Sequence, residues 1–312
     1  QKKVRHQIIR EIKDKHKRYN LNTVCRLFGV SRQANYQYLK CQSNLHSQHE
    51  LIVQQVMEIR NTHPRIGTRK LFYMMQDFFQ QHNIQIGRDA LFNLLSMHKL
   101  LVRKRIQKVT TTYSQHWMRK WPNLIKNIHI NQPNQLWVSN ITYWKVADHF
   151  MNISFVTDAY SHKIVGYSLS KNLDMKSARN ALLMALNNNN TKYQKLIHHS
   201  DRGVQYCAMD YVKLLHQHNI NISMTESGDP RDNAIAERLN GIIKNEYLFK
   251  YKPKTFEQAQ VLLKRSVNNY NDSRPHLSNN LMTPQFIHQH NTKTKKLWKN
   301  YFKTIPVNAI QD

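Results

Sequence analysis

The first part of the chain carries apolar positions at helical spacing, interrupted by turn residues. Val24 and Leu27 mark the inward side of a short helix, Gly29 provides a turn, and Ser31 can cap a second helix that ends near Leu39. A helix, a glycine-containing turn and a helix form the helix-turn-helix pattern. The pattern predicts such a domain over residues 1–48, although a small helical bundle without groove contacts would read the same way.

Residues 49–106 repeat this organisation. A helix is predicted from about Glu50 to Thr62, where His63 and Pro64 end it. A second helix opens in the segment 65–70, and a third opens at Gly87 with leucines along one side. We therefore expect a second helix-turn-helix or winged-helix-like domain.

From about residue 132 the pattern changes to short apolar runs typical of strands. The predicted strands are Leu136–Trp144, Phe150–Asp158, Lys163–Leu169, Leu196–His199 and Ile220–Met224. The predicted helices are Lys176–Leu186, Ala208–His218 and one that begins near Asn233. This order is typical of an RNase H-like α/β domain, expected over residues 132–251. A helical C-terminal region, 252–312, follows, with Thr255 and Gln258 as a capping box.

The net charge of the chain indicates what kind of partner it binds. The chain has 47 Lys and Arg against 19 Asp and Glu, a net charge of +28. Such an excess indicates a polyanionic partner, with nucleic acid first and a membrane surface second; a ribosomal or merely basic protein is the remaining alternative. No apolar run is long enough to span a membrane. The 3 cysteines have no CxxC spacing, so we expect a reducing, cytoplasmic setting without a disulfide scaffold or zinc site.

Basic and polar residues in these helices and in a linker, residues 107–131, are the candidates for DNA contact. Residues 101–126 contain seven Lys and Arg and no acid, which suits a segment lying along phosphates, although a solvated connector is the alternative. The candidates are Ser31, Arg32, Gln33, Asn35, Tyr36, Arg65, Thr68, Arg69, Lys70, Arg88, Arg103, Lys104, Arg105 and Lys108.

Two carboxylates stand out because acids are scarce. Asp201 lies just past a predicted strand, where the rim of a sheet commonly carries a site, and Glu237 lies on the helix that follows Asn233. That helix predicts an apolar face of Ile235, Leu239, Ile242 and Ile243, and an opposite face of Asn233, Glu237, Asn240 and Lys244. Taken singly, Asp201 is also compatible with a turn or cap, and Glu237 with a solvated helix acid.

Their joint pattern resembles a known family. Thirty-five residues separate Asp201 from Glu237, as in DDE transposases and retroviral integrases. The local sequence is similar to the IS-three family of bacterial insertion-sequence transposases over roughly residues 20–290. The matching segments are 137–143, 164–167, 198–206, 223–224, 232–237, Tyr270-Asn271, Arg274, His276 and Thr283-Pro284.

The resemblance implies a chemistry and partners. Three carboxylates would hold two Mg²⁺ ions, with Mn²⁺ as a substitute, for water to free a 3′-hydroxyl and for that hydroxyl to attack another phosphodiester. In this family the first joining event links one element end to the other. Double-stranded DNA, both element ends and target, would contact Arg202, Asn233, Asn240 and Lys244. We expect at least a dimer on DNA, in the bacterial cytoplasm with the nucleoid, and no membrane.

One position departs from the family. The family's first carboxylate should stand in Trp-x-x-Asp-Ile-Thr-Tyr, where this chain has Asn140. We therefore expect a catalytic triad of Asn140, Asp201 and Glu237 that is silenced as written. Deliberate replacement, favoured by the isosteric exchange, and decay of an element copy both remain open. Asp158 is a rival third carboxylate.

The alternative functions are a DNA-binding repressor derived from a transposase and another RNase H-like nuclease such as a junction resolvase.

Overall fold

The structure is a computed structural model that describes residues 2–102, 117–126, 128–172, 175–188, 195–226 and 233–292. These residues belong to two compact units, one of Gln1–Ile59 with Met75–Leu101 and one of Arg60–Met74 with Val102–Asp312. Arg103, Lys104, Arg105 and Lys108 lie outside the described residues. In the described part of the chain, no helix is both long and apolar enough to cross a membrane.

Helices make up the first unit and the segment that interrupts it. Gly29 adopts a φ of 63°, the left-handed turn conformation that glycine tolerates. Ser31 accepts a hydrogen bond at 3.0 Å from the Ala34 N–H and so caps the next helix. The helices are α1 (Lys2–Lys15), α2 (Leu21–Leu27), α3 (Arg32–Thr62), α4 (Thr68–Met74), α5 (Gln76–Gln81) and α6 (Arg88–Met97).

Several features of this region differ from the sequence expectations. The second helix does not end near Leu39: α3 continues to Thr62 because no glycine or proline interrupts residues 32–62. The predicted division at residue 48 therefore falls inside one helix. Leu27 is 79% exposed, since Val24 and Cys25 are the residues of α2 that pack against Ile9. Residues 49–102 contain no strand, so the described chain has no β-wing here.

The second unit is built on a five-stranded sheet. Its strands are β1 (Leu136–Val146), β2 (His149–Asp158), β3 (Ile164–Ser170), β4 (Ile197–Ser200) and β5 (Asn221–Met224). Their order across the sheet is β3-β2-β1-β4-β5. The first three strands pair antiparallel, whereas β4 and β5 run parallel to β1. This mixed sheet confirms the RNase H-like α/β fold.

Helices cover both faces of this sheet. On one face lie α7 (Met175–Asn187), α8 (Val204–Cys207), which the sequence did not predict, and α9 (Met209–Gln217). Gly166 of β3 permits the close approach of α7, because a Cβ there would meet the backbone oxygen of Ala181.

The other face is covered by α10 (Ala234–Ile242) and α11 (Phe256–Asp272). After α10 the chain forms one π-helical turn, Ile243–Tyr247, and a short 3-10 turn, Leu248–Lys250. Thr255 caps α11 by accepting a hydrogen bond from the Gln258 N–H, as predicted. The last described helix is α12 (Pro284–His290).

Residues 118–126, predicted as part of a DNA-tracking linker, lie against the sheet instead. Met118 and Trp121 pack on the core, and the Leu124 N–H donates a hydrogen bond at 2.9 Å to the Ser223 hydroxyl. The Met224 N–H donates to the Pro122 carbonyl at 3.3 Å. These contacts fix the segment along β5, because the edge strand offers unpaired backbone groups.

Candidate active site and DNA-facing surfaces

The pairing of β1 with β4 brings Asn140 and Asp201 together. The parallel register matches Leu136 with Ile197 and Val138 with His199. Asn140 lies two residues beyond Val138 on β1, and Asp201 is the first residue after β4, two residues beyond His199, so both lie at the same end of this strand pair. Strand alternation assigns Asn140 to the face of Leu136 and Val138.

That side is the one covered by α10. Leu136 and Val138, which share Asn140's face by strand alternation, form a cluster with Ala236 of α10. Ile197, the β4 partner of Leu136, packs against the same cluster. The helix that carries Glu237 therefore lies over the face to which Asn140 belongs, and Asp201 follows the end of the neighbouring strand.

A buried hydrogen bond fixes the start of α10 beside Asn140. The Asn233 side-chain amide donates at 2.9 Å to the carbonyl oxygen of Ser139, the residue before Asn140. Glu237 follows Asn233 by one helical turn, about 6 Å along the axis, and its side chain is exposed. The carboxylate thus stands on the open side of the helix, one turn from the anchor at β1.

The donor set at this place consists of oxygens. The Asn140 Oδ1 accepts from the Ile141 N–H at 2.7 Å, and the Asp201 Oδ1 accepts from the Gly203 N–H at 3.1 Å. Among the described residues no group of three His, Cys, Asp or Glu side chains is placed to hold a metal ion. With an amide at position 140, two carboxylates and one neutral oxygen remain, which suits a hard divalent cation but supplies one negative charge fewer.

Two buried histidines of β4 directly precede Asp201. His198 Nε2 lies 2.7 Å from the Ser139 hydroxyl and 2.9 Å from the Tyr211 hydroxyl. Burial lowers the pKa of His198 to about 3, so the ring is neutral at pH 7. The next residue, His199, has its Nδ1 2.9 Å from the hydroxyl of Ser223 on β5. Sequence reasoning missed these contacts, although the paired histidines before Asp201 were their signal.

Asp158 is not a rival ligand. Its side chain is fully buried, and its oxygens accept from the Ser161 N–H at 2.7 Å, the Ser161 hydroxyl at 2.6 Å and the Asn134 N–H at 2.7 Å. Because these donors occupy the carboxylate inside the protein, Asp158 holds the turn between β2 and β3.

The predicted polar row on α10 is only partly right. Glu237 is exposed, but Asn233 and Asn240 are 6% and 7% exposed and face the interior. Lys244 is the second residue of the π-helical turn that follows α10. It is half-buried, and burial lowers its pKa. Arg202 is half-buried beside Asp201.

The start of α3 presents an exposed polar face. Ser31, Arg32, Gln33 and Tyr36 are exposed as predicted. Asn35 is the exception: it is 2% exposed, and its Oδ1 lies 2.9 Å from His6 Nδ1, so its amide ties α3 to α1. The surface cleft on this face is lined by Arg32, Gln33, Tyr36, Gln37 and Lys40. Sequence reasoning missed Gln37 and Lys40, although helical spacing from Gln33 and Tyr36 reaches both.

The candidates of the segment 65–70 have mixed positions. Thr68 is buried. The Lys70 Nζ lies 3.6 Å from a carboxylate oxygen of Glu246, and the Arg274 guanidinium donates two hydrogen bonds of 2.8 Å to the same carboxylate. Burial, and then the Arg274 charge, lower the pKa of Lys70 to about 8. Lys70 is thus part of an internal ion cluster. Of the arginine candidates, Arg69 and Arg88 are exposed, whereas Arg65 is half-buried against the Phe249 ring.

Comparison with known proteins assigns the family. Two integrase core domain models match residues 130–230 and 218–284. A protein of insertion element IS600 from Shigella sonnei is 31% identical over 259 residues, which is 81% of this chain and 93% of that protein. The chain belongs to the IS-three family of insertion-sequence DDE transposases.

Other relatives agree with this membership. The IS629 transposase of Shigella sonnei is 27% identical over 68% of the chain and 70% of its own length. The transposase InsF of Escherichia coli is 32% identical over 43% of the chain and 47% of its own length. Among solved structures, the HTLV-2 integrase catalytic core domain in complex with magnesium covers 50% of this transposase and 97% of that chain, at 20% identity and a TM-score of 0.41. The two insertion-sequence transposases support a transposase function of the polynucleotidyl-transferase type.

Proposed function

We propose that this transposase binds the ends of its insertion element and that Asn140 silences its cleavage and strand-transfer chemistry. The observation that supports the proposal is the parallel pairing of β1 with β4, because Asn140 and Asp201 follow the paired residues on the two strands and the helix of Glu237 packs over the face of Leu136 and Val138. An RNase H-like site of this family needs a carboxylate at that place.

The residues present fit a divalent metal through oxygen atoms. The metal would be held by Asp201, Glu237 and the amide oxygen of Asn140. When bound, two Mg²⁺ or Mn²⁺ ions per site would stabilise the attacking and leaving oxygens of an in-line phosphodiester displacement. The other residues of the chain position these ligands and the DNA. The bond from Asn233 to Ser139 holds α10 over the strand ends. Lys244 and Arg202 supply positive charge for a phosphate near the scissile bond.

We assign the binding of the element's DNA ends to surfaces other than the candidate active site. The exposed face of α3, with Arg32, Gln33 and Tyr36, carries the donors and acceptors that read base edges in a major groove. Arg69 and Arg88 add exposed charge for phosphates. Because these residues are remote in sequence from Asn140, we expect binding to survive where cleavage fails. A repressor derived from a transposase remains the second candidate, and Asn140 is the observation that favours it.

The experiment restores the charge. In Asn140→Asp we expect Mg²⁺-dependent nicking at the 3′ end of the element to rise more than about 100-fold, since a direct ligand matters more than the surrounding residues whose loss costs about 10–100-fold. Cleavage of labelled end DNA on denaturing gels measures it. Asn221→Asp, which adds the same charge at an exposed residue of β5, is the matched control and should stay silent.

The outcomes separate the candidates. Glu237→Gln in the Asn140→Asp background should abolish nicking again while end binding persists. If Asn140→Asp binds end DNA yet remains inert with both Mg²⁺ and Mn²⁺, the repressor is the better description. If the chain with Asn140 already nicks at full rate, the assignment of Asn140 to the site is wrong.

A further inference from the structure

A second surface of the transposase combines lysines with aromatic rings. We call it the aromatic–lysine cleft: a cavity of about 960 Å³ whose walls include Lys145, Phe150, Phe249, Lys252 and Lys254. One acid, Asp148, is among its lining residues. Of the lining residues the proposed mechanism uses Lys244 alone, so the lysines and rings named here need a separate explanation.

The walls of the cleft come from two parts of the fold. One is the turn between β1 and β2, and the other is the segment that follows the π-helical turn. The Ala147 N–H donates at 2.9 Å to the Pro253 carbonyl and joins the two walls. A backbone bond of this kind holds the cleft open at a fixed width.

The rings of the cleft are unusually accessible. Phe150 is 66% exposed and Phe249 is 44% exposed, whereas phenylalanine is among the residues most often buried. The Arg65 guanidinium lies 4.9 Å from the centroid of the Phe249 ring and adds a further positive charge. Exposed rings beside several cations are a composition that suits stacked bases with their phosphates.

The cleft continues into a neighbouring one. A second cavity of about 660 Å³ shares Ala147, Phe150 and Lys254 with it and adds Lys171 and Phe256. Lys171 Nζ lies 5.4 Å from the centroid of the Phe256 ring. The combination of ring and lysine is therefore repeated along the same groove.

The cleft also begins close to the candidate active site. Tyr143, one of its lining residues, follows Asn140 by three residues on β1, a distance of about 10 Å along the strand. Lys244, which we assign to a phosphate near the scissile bond, lines the cleft as well. Lys244 therefore links the cleft to the proposed phosphate contact.

We propose that the aromatic–lysine cleft binds unpaired DNA, a run of a few nucleotides that continues from the cleaved element end. Bases of any sequence can stack on Phe150 and Phe249 only when they are unpaired, while Lys145, Lys252 and Lys254 meet the phosphates. A second copy of this chain is the weaker occupant, since two clefts with several lysines and a single aspartate each would repel one another. The location beside the cleaved end rests on the proposed function; the binding of unpaired DNA does not.

A fluorescent oligo(dT) of 12 nucleotides, which carries no element sequence, tests the cleft in the full chain by fluorescence anisotropy without metal. We expect Phe150→Leu and Phe249→Leu each to weaken binding about 5-fold or more, because leucine keeps an apolar side chain but removes the stacking surface. Phe150→Tyr should bind like the parent. Phe286→Leu is the matched control, since Phe286 is 41% exposed on α12, outside the cleft.

Salt dependence gives a second readout that does not depend on the rings. Lys252→Gln with Lys254→Gln should reduce the slope of log affinity against log salt by about 1.4, or 0.7 per lost single-strand phosphate contact. Lys264→Gln, on the exposed side of α11, should leave the slope unchanged.

Three results would overturn the proposal. Oligo(dT) affinity could be equal in all variants, or Phe286→Leu could lose as much oligo(dT) affinity as the cleft variants. Substitution of Phe150 could also change the protein's mass distribution without DNA, which would assign the cleft to a second copy. Failure of Asn140→Asp to nick DNA, with oligo(dT) binding still dependent on Phe150, would reject the proposed catalysis and keep the cleft.

Discussion

At Asn140 a single atom separates a charged ligand from a neutral one. The amide keeps the shape of an aspartate and still accepts a hydrogen bond from the Ile141 N–H. Asp201 follows the end of β4, the strand beside β1, and Glu237 lies on α10. A residue exchange of this kind leaves packing intact and acts on charge alone, which is why we expect folding and DNA binding to tolerate either residue.

Gly166 is the residue on which the packing of α7 against β3 depends. In Gly166→Ala the new Cβ would collide with backbone atoms of α7, which cannot rotate away, so we expect a loss of about 3 kcal/mol in unfolding free energy, the upper end for overpacking. Urea unfolding followed by tryptophan fluorescence measures the change, because Trp137 and Trp144 are buried in this sheet.

The matched control for Gly166 is a helical glycine with room around it. Nothing lies within 4 Å of a Cβ built on Gly241 of α10. Gly241→Ala should therefore raise stability by about 0.5–1 kcal/mol through its better helix propensity. Equal effects at the two glycines would show that close approach of α7 does not explain Gly166.

Among the elements, α3 combines two tasks. It is 31 residues long, about 46 Å, and its first turns carry the exposed polar face while Ile52 and Val56 near its end are buried. One continuous helix thus links a surface suited to base edges with a packed helical core. Asn35, which points inward to His6, fixes the rotation of the helix and so determines which side chains remain outside.

Gln33 should carry sequence discrimination. We expect Gln33→Ala to cost about 1–3 kcal/mol in binding to element-end DNA and little in binding to random duplex, because glutamine reads base edges through two hydrogen bonds. Competition binding at fixed salt measures the ratio. Gln54→Ala, at an exposed glutamine later in α3, is the control and should leave the ratio unchanged. A uniform loss on both DNAs would assign Gln33 to the phosphate backbone instead.

The whole molecule carries a net charge of +28, far more than one catalytic site requires. Charge of this size attracts duplex DNA regardless of sequence and makes the affinity fall steeply with salt. Specificity must then come from a few side chains such as those of α3. Joining two element ends would additionally require two copies of this chain to be held together, each with its own site.

We therefore expect at least two protomers on a pair of ends. Mass photometry of the protein with end DNA should show a complex of two or more chains, and random duplex of equal length should give less of it at the same salt. The Asn140 chain serves directly, since it should bind without cutting. A single protomer on a single end at every ratio would contradict this expectation.

The sequence by itself determined close bounds for the five strands and for α7 and α9, and it indicated Asn140, Asp201 and Glu237 as the candidate site. Strand alternation, turn residues and acid spacing are local signals, and one chain displays them fully. The tertiary structure decided what local signals cannot: that Asp158 and Asn35 are enclosed, that Lys70 belongs to an ion cluster with Glu246, and that lysines and rings distant in sequence form one cleft. Burial and partners depend on contacts between segments far apart in the chain, so helical or strand periodicity gives the face of an element but not what covers it.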